Sequence, residues 1–165
     1  MMGQIDIFGH EEKDALTYED KIREAQDVLT LASEISMDYY KKPLVIAYSG
    51  GKDSDVLYHI ALSCMEPKDI ELLNSHTTVD APETVRHIEK VFRQARDRGV
   101  KTSYHNRYPV KTTMWELIEK KRMPPTGLVR YFCAELKESS TGNRMTALGV
   151  REDESTGRRG RDLFR

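Results

Sequence analysis

The sequence contains little cysteine and no long apolar run. Its two cysteines, Cys64 and Cys133, lie far apart among 165 residues and form no Cys-x-x-Cys pair. This usage indicates neither a zinc site nor a disulfide framework. No apolar stretch approaches the length of a membrane span, and the first residues lack the pattern of a signal peptide. We therefore expect a cytoplasmic protein that does not enter a membrane.

An excess of charge of either sign is also missing. The chain carries 26 basic and 27 acidic residues, which gives a formal net charge of −1 at pH 7. A protein so close to neutrality has no overall field that attracts nucleic acid or a membrane surface, so any anion binding must be local. The length suits one domain, and a hydrophobic content of 38% is enough for one core.

Composition along the chain predicts three parts. We expect a flexible arm at residues 1–16, one folded domain at 17–152 and an arginine-rich tail at 153–165. Apolar residues at helical spacing predict an amphipathic helix at about 18–40, whose apolar surface could pair with a second copy of the chain.

Strand and helix patterns alternate after this first helix. The predicted strands are 44–48, 70–74, 100–105 and 144–150, and the predicted helices are about 54–65, 82–98, 113–121 and 128–138. Asp80 is the expected N-cap of the second of these helices. Alternation of this kind predicts an α/β fold with a parallel sheet and helices on both faces. The ligand of such a sheet binds beyond the carboxyl ends of its strands.

The junction after the first predicted strand is the most specific feature. Residues 49–54 read Ser-Gly-Gly-Lys-Asp-Ser, and we call them the phosphate loop. Two glycines allow a tight turn and a close approach of backbone to ligand. The amide groups and positive dipole end of the following helix favour an anion. Lys52 adds a full charge, and Ser49 and Ser54 add hydroxyl groups.

Several polar residues near this loop have both a functional and a structural interpretation. The hydroxyls of Thr77 and Thr78 could bond the ribose or base of a nucleotide, or stabilise a local turn. His76 could serve as an acid or base, or make a structural hydrogen bond. Asp53 could hold Mg²⁺ against phosphate oxygens, or cap the helix that follows.

Three cations are expected at the same face: Arg130, Lys137 and Arg151. An arginine can bind a phosphate or sulfate with two donors at once, and Arg151 closely follows a strand end at Gly149. Cys133 lies between aromatic residues and the cations. It is either a buried, inert thiol or a nucleophile activated by Arg130 or Lys137.

Together these motifs resemble the phosphoadenosine phosphosulfate (PAPS) reductase-like family of PP-loop proteins, in the adenine nucleotide α-hydrolase superfamily. The resemblance is to a short bacterial and phage-borne branch. The matching stretches are residues 48–54, 76–84, 114–118, 123–126, 130–137 and 149–155. The resemblance implies a Rossmann-like three-layer α/β/α fold of the PP-loop/HUP type, with a mostly parallel sheet of about four to five strands.

The resemblance also implies an adenine nucleotide as ligand, either ATP or a sulfonucleotide. The residues expected to bind it are Tyr48, Ser49, Gly50, Gly51, Lys52, Asp53, Ser54, Thr77, Thr78, Arg130, Lys137, Gly149 and Arg151. Arg130, Lys137 and Arg151 would face its phosphate or sulfate end.

Three functions stay open at the level of sequence. In the first, Lys52, Asp53 and Arg151 act with Mg²⁺ at the α-phosphate of ATP or a related nucleotide, with adenylation and release of pyrophosphate. In the second, the protein reduces a sulfonucleotide with the thiol of Cys133 or of a partner. The chain has no cysteine near residue 165, and Phe132-Cys133 stands where iron–sulfur members of the family that it resembles carry a first cysteine pair. With no second pair either, we expect no iron–sulfur cluster. In the third, it binds or sequesters a nucleotide without catalysis.

Overall fold

The computed structural model describes residues 17–107, 109–126, 129, 131–136 and 140–150, without the side chains of residues 133 and 134. The arm predicted at 1–16 and the tail predicted at 153–165 lie outside these residues. Within the part that is described, no helix combines the length and the apolar character needed to cross a membrane.

Four parallel strands form the sheet. They are β1 (Leu44–Ala47), β2 (Ile70–Ser75), β3 (Lys101–His105) and β4 (Thr146–Ala147), in the order β3-β2-β1-β4. Leu44 lies opposite Ile70, and Val45 lies opposite Thr146. An α/β fold with a parallel sheet is therefore confirmed. The fourth strand is much shorter than its predicted range of 144–150.

Five α-helices accompany the strands among the described residues. They are α1 (Tyr18–Ile35), α2 (Lys52–Cys64), α3 (Pro82–Asp97), α4 (Met114–Lys121) and α5 (Tyr131–Leu136). A π-helical turn at Ser36–Tyr40 extends α1, so the helical path covers the predicted 18–40. A 3₁₀ turn at Pro67–Asp69 leads into β2.

Local caps explain where several helices begin. The Thr17 hydroxyl accepts from the Asp20 amide at 3.2 Å, and the Asp20 carboxylate accepts from the Thr17 amide at 3.2 Å, so α1 starts with a capping box. The predicted Asp80 cap of α3 is wrong. Ala81 is the N-cap and Pro82 opens the helix, because Asp80 is engaged in the loop before it.

The main core lies between one face of the central strands and helices α1 to α3. Alternate residues of β1 and β2 are buried there, as the two-residue period of a strand requires. Tyr58 and Ala61 of α2 and Phe92 of α3 pack against them. Because this core fixes both α2 and α3, it also fixes the loop that joins β1 to α2.

A charge network around the buried Glu71 carboxylate holds the strands together on their other face. The Glu71 carboxylate of β2 accepts from Arg144 at 2.9 Å, Lys101 at 2.8 Å and Ser103 at 2.7 Å. Burial raises the pKa of Glu71, but these three donors outweigh it and lower the pKa to about 2. The network joins β3 and the segment before β4 to the central strand β2.

Candidate functional site

The phosphate loop leads directly into helix α2. The helix begins at Lys52, two residues earlier than predicted, so Lys52, Asp53 and Ser54 belong to its first turn. Its N-cap is Gly51, which has no side chain with which to cap that turn. The first amide groups of a helix lack carbonyl partners within it and carry the positive end of its dipole. The loop therefore presents the anion-binding end of α2 beside the exposed Lys52 side chain.

Gly50 shapes the turn before the helix. Its φ of +79° lies in the left-handed region that favours glycine. A Cβ added there would lie 2.8 Å from Ile88 Cγ1 and 3.1 Å from Thr84 Cγ2. Helix α3 thus packs directly on the backbone of the phosphate loop.

The two serines of the loop hold its turn. Ser54 is 5% exposed and donates to the Gly51 carbonyl at 2.7 Å. Ser49 is exposed, and its hydroxyl lies 3.3 Å from the Ser54 hydroxyl, to which it donates. The Ser54 hydroxyl is therefore part of the loop's internal structure, and Ser49 is the serine at the surface.

Tyr48 supports the loop through a buried side chain. It is 2% exposed, and its hydroxyl donates to the Asp55 carboxylate and lies 3.1 Å from His87 Nε2. His87 Nε2 lies 3.3 Å from the second Asp55 oxygen. Burial, and then the hydrogen bond to Asp55, raise the pKa of Tyr48. Sequence reasoning missed Asp55 and His87, because no local pattern links two residues so far apart in the chain.

The loop after β2 uses its threonines in structural contacts. The amide and hydroxyl of Thr77 both donate to Asp80, at 3.1 and 2.8 Å, and Thr77 is 6% exposed. The Thr78 hydroxyl accepts from the Met114 amide at 2.9 Å. Its own hydrogen remains available to donate. His76 Nδ1 lies 3.8 Å from the Asp80 carboxylate.

Asn106 organises the loop after β3 and was not singled out from the sequence. It is buried, with a φ of +58°. Its amide donates to the carbonyls of His76 at 3.1 Å and Thr112 at 2.7 Å. Its oxygen accepts from the amides of Lys111 and Thr112. One side chain thus ties the loops after β2 and β3 together.

The segment after β4 approaches the phosphate loop closely. A Cβ added at Gly149 would lie only 2.9 Å from the Asp53 carbonyl oxygen, so only glycine permits this approach without a shift. Arg130, Lys137 and Arg151 lie outside the described residues. Cys133 belongs to α5, but its side chain also lies outside them. The roles assigned to these four residues stay predictions.

A magnesium ion fits this loop only as a partner of phosphate. Among the described residues, no group of three or more His, Cys, Asp or Glu side chains could hold a metal ion by itself. Asp53 supplies one carboxylate in the first turn of α2. That suits Mg²⁺, which commonly takes one or two carboxylates together with phosphate oxygens.

A parallel α/β sheet with a Ser-Gly-Gly-Lys-Asp-Ser loop between β1 and the amino end of α2 defines the PP-loop class of nucleotide-binding proteins. Within that class, the family model of the phosphoadenosine phosphosulfate reductase domain matches residues 43–165. The chain belongs to this family. Its place in the short bacterial and phage-borne branch stays a prediction.

Two individual proteins show more distant similarity. An uncharacterized protein of Methanocaldococcus jannaschii is 25% identical over 84% of this chain and 32% of its own length. The chain therefore spans about a third of that relative. The structure of the NH3-dependent NAD synthetase from Campylobacter jejuni, in complex with the nitrate ion, aligns over 81% of this chain and 58% of its own, with a TM-score of 0.49 and 14% identity.

Proposed function

We propose that this protein binds an adenine nucleotide through the phosphate loop and acts at the α-phosphate of ATP or a related nucleotide. The observation that carries the proposal is the Gly50–Gly51 turn, which leads into the amino end of α2, where Lys52 is an exposed first residue. Members of the family bind adenine nucleotides, which suits a loop that ends at the amino end of a helix and carries an exposed lysine.

The proposed chemistry is nucleotidyl transfer. An acceptor's nucleophile forms a bond to the α-phosphorus, the bond from that phosphorus to the bridging oxygen breaks, and pyrophosphate leaves with the electron pair. Amide groups of the first turn of α2 and Lys52 stabilise the charge that develops on the leaving group. Mg²⁺, held by Asp53 and phosphate oxygens, would supply further neutralisation. We assign contacts with the phosphate groups of the same nucleotide to Arg130, Lys137 and Arg151.

Reduction of a sulfonucleotide is the second candidate, and the family's own description favours it. It needs a thiolate near the sulfate. Cys64 does not fit this role, because it packs against the main core and burial raises the pKa of its thiol. Cys133 is the residue assigned to it.

The phosphate loop is tested by titration calorimetry with ATP, adenosine phosphosulfate and PAPS, with and without Mg²⁺. We expect Lys52→Ala to weaken binding of each nucleotide by about tenfold or more, the value of a hydrogen bond to a charged group. Lys68→Ala is the matched control, since Lys68 is an exposed lysine whose ammonium pairs with Glu66. Equal affinity in Lys52→Ala and wild type would contradict the proposed site.

The reaction is tested on the same proteins by following nucleotide and pyrophosphate. If the Cys133→Ser variant still releases pyrophosphate from ATP, transfer at the α-phosphate is supported. Loss of sulfonucleotide turnover in Cys133→Ser supports reduction instead. If the protein binds a nucleotide tightly but leaves it intact after long incubation with a panel of acceptors and thiol reductants, it is a binding module without catalysis.

A further inference from the structure

Three polar side chains meet across the two ends of the phosphate loop. Tyr48 directly precedes the loop, Asp55 directly follows it, and His87 reaches them from helix α3. The Tyr48 hydroxyl donates to one Asp55 oxygen. His87 Nε2 lies 3.1 Å from the Tyr48 hydroxyl and 3.3 Å from the other Asp55 oxygen. We call these three residues the loop clamp.

The donors and acceptors of the loop clamp determine where its hydrogens lie. A tyrosine hydroxyl has one hydrogen, which Tyr48 gives to Asp55. The Tyr48 oxygen and the second Asp55 oxygen then both accept. His87 Nε2 must therefore carry a hydrogen, in the neutral ring as well as in the imidazolium. The three contacts are compatible in either state of the histidine.

The loop clamp also engages a negative charge that opposes anion binding. Asp55 lies in the first turn of α2, close to the end that would receive phosphate. A carboxylate there repels a phosphate group, and donors that engage its oxygens reduce that repulsion without removing the charge. Tyr48 and His87 engage both of its oxygens. The acidic residue thereby fastens the loop to α3.

Helix α3 contacts the loop at a second place beside the clamp. Thr84 and Ile88, which flank His87 on α3, approach the position of a Cβ on Gly50 to 3.1 and 2.8 Å. A polar contact at the ends of the loop and an apolar contact at its turn thus come from one helix. Movement of α3 would move both.

We propose that Asp55 and His87 are positioning residues that hold the phosphate loop in the conformation that receives the phosphates of a nucleotide. For its ligand the proposal rests on the function proposed above. The order of the loop in the nucleotide-free protein does not depend on that function, and it can be measured separately.

The test compares His87→Ala, His87→Gln and the control Arg86→Ala with wild type. Arg86 is an exposed neighbour on α3 whose partner, Glu83, lies on the same helix. Two quantities are measured: the dissociation constant of ATP with Mg²⁺, and amide hydrogen exchange at residues 49–54 in the nucleotide-free protein. Exchange at Leu72, a buried residue of β2, reports on the core.

The His87 side chain is 43% exposed, so its contact with Asp55 is partly screened by solvent. We therefore expect His87→Ala to weaken ATP binding about fivefold and to speed exchange in the loop but not at Leu72. His87→Gln, whose side-chain amide can donate, should restore both to within about twofold of wild type. Arg86→Ala should behave as wild type.

Unchanged affinity and exchange in His87→Ala would overturn the proposal. Equal acceleration at the loop and at Leu72 would overturn it too, since that pattern reports general stability. If wild type binds no adenine nucleotide, the proposed function fails, and the exchange measurement still decides whether the clamp orders the loop.

Discussion

Gly50 is the residue on which the shape of the phosphate loop depends most directly. Its backbone is left-handed, and α3 leaves no room for a side chain above it. The sequence predicted this turn correctly because all of its determinants are consecutive. The contacts of Asp55 and Asn106 could not be predicted in the same way, since their partners include His87 and His76, about 30 residues away.

The substitution Gly50→Ala should therefore be costly for two separable reasons. The positive φ costs about 1 kcal/mol with any L side chain. The contact with Ile88 adds ~1–3 kcal/mol of crowding. We expect urea unfolding to show the sum of the two, and calorimetry to show weaker ATP binding because the loop must shift.

Gly142→Ala provides the matched control for this experiment. Gly142 has a φ of +59°, and an added Cβ would meet no atom within 4 Å among the described residues. The Gly142→Ala variant should lose only the conformational part of the free energy of unfolding, about 1 kcal/mol, and keep its affinity for ATP. If the two variants lose the same stability, helix α3 does not crowd the loop.

At the scale of elements, the site depends on contacts between loops as much as on the strands that lead to them. The sequence predicted where the helices lie, because their periodicity is local, but it misplaced the start of α2 and the cap of α3. It overestimated β4, which pairs through only Thr146 and Ala147. Arg144 before it is engaged by Glu71 and the Pro43 carbonyl, and Gly149 after it packs on the first turn of α2.

One hydroxyl connects the loop after β2 to helix α4. Thr78 Oγ1 accepts from the Met114 amide, one of the first amides of that helix. Thr78→Val keeps the shape but leaves this amide without its acceptor, so we expect a loss of about 1 kcal/mol in the free energy of unfolding. Denaturant titration measures this loss.

Thr78→Ser keeps the hydroxyl and serves as the control, with a stability within about 0.5 kcal/mol of wild type. A valine variant as stable as the serine variant would show that the contact with Met114 contributes nothing. Calorimetry on the same pair tests the predicted contact between this hydroxyl and the nucleotide, which only the valine variant would lose.

At the scale of the whole molecule, the Glu71 network makes stability depend on pH. The pKa of Glu71 is about 2 in the folded protein and 4.5 in its ordinary state. Because the folded value is the lower one, the stabilisation is complete above about pH 4.5 and is lost as the pH falls towards 2. We expect a loss of roughly 3 kcal/mol across this window, measured by urea unfolding.

Glu71→Gln isolates this contribution, since a glutamine does not titrate. The variant should be less stable than wild type at pH 6, because Arg144 and Lys101 lose their buried anion, and the difference should shrink by pH 3. Glu66→Gln, which breaks an exposed pair with Lys68, should unfold like wild type at pH 6. A constant difference between Glu71→Gln and wild type would contradict the assignment.

The strand order indicates which strands of the sheet pair first during folding and which strand pairs last. Strands β1 to β3 come from one continuous stretch, whereas β4 returns to the open side of β1 from about 100 positions later, as the Arg144–Pro43 separation of 101 residues shows. Contacts so distant along a polypeptide close late, since a long loop costs entropy first. During synthesis, one side of β1 therefore stays without a partner until residue 147 has left the ribosome. A chain whose synthesis stops before that point would leave the edge of β1 open to pairing with strands of other chains.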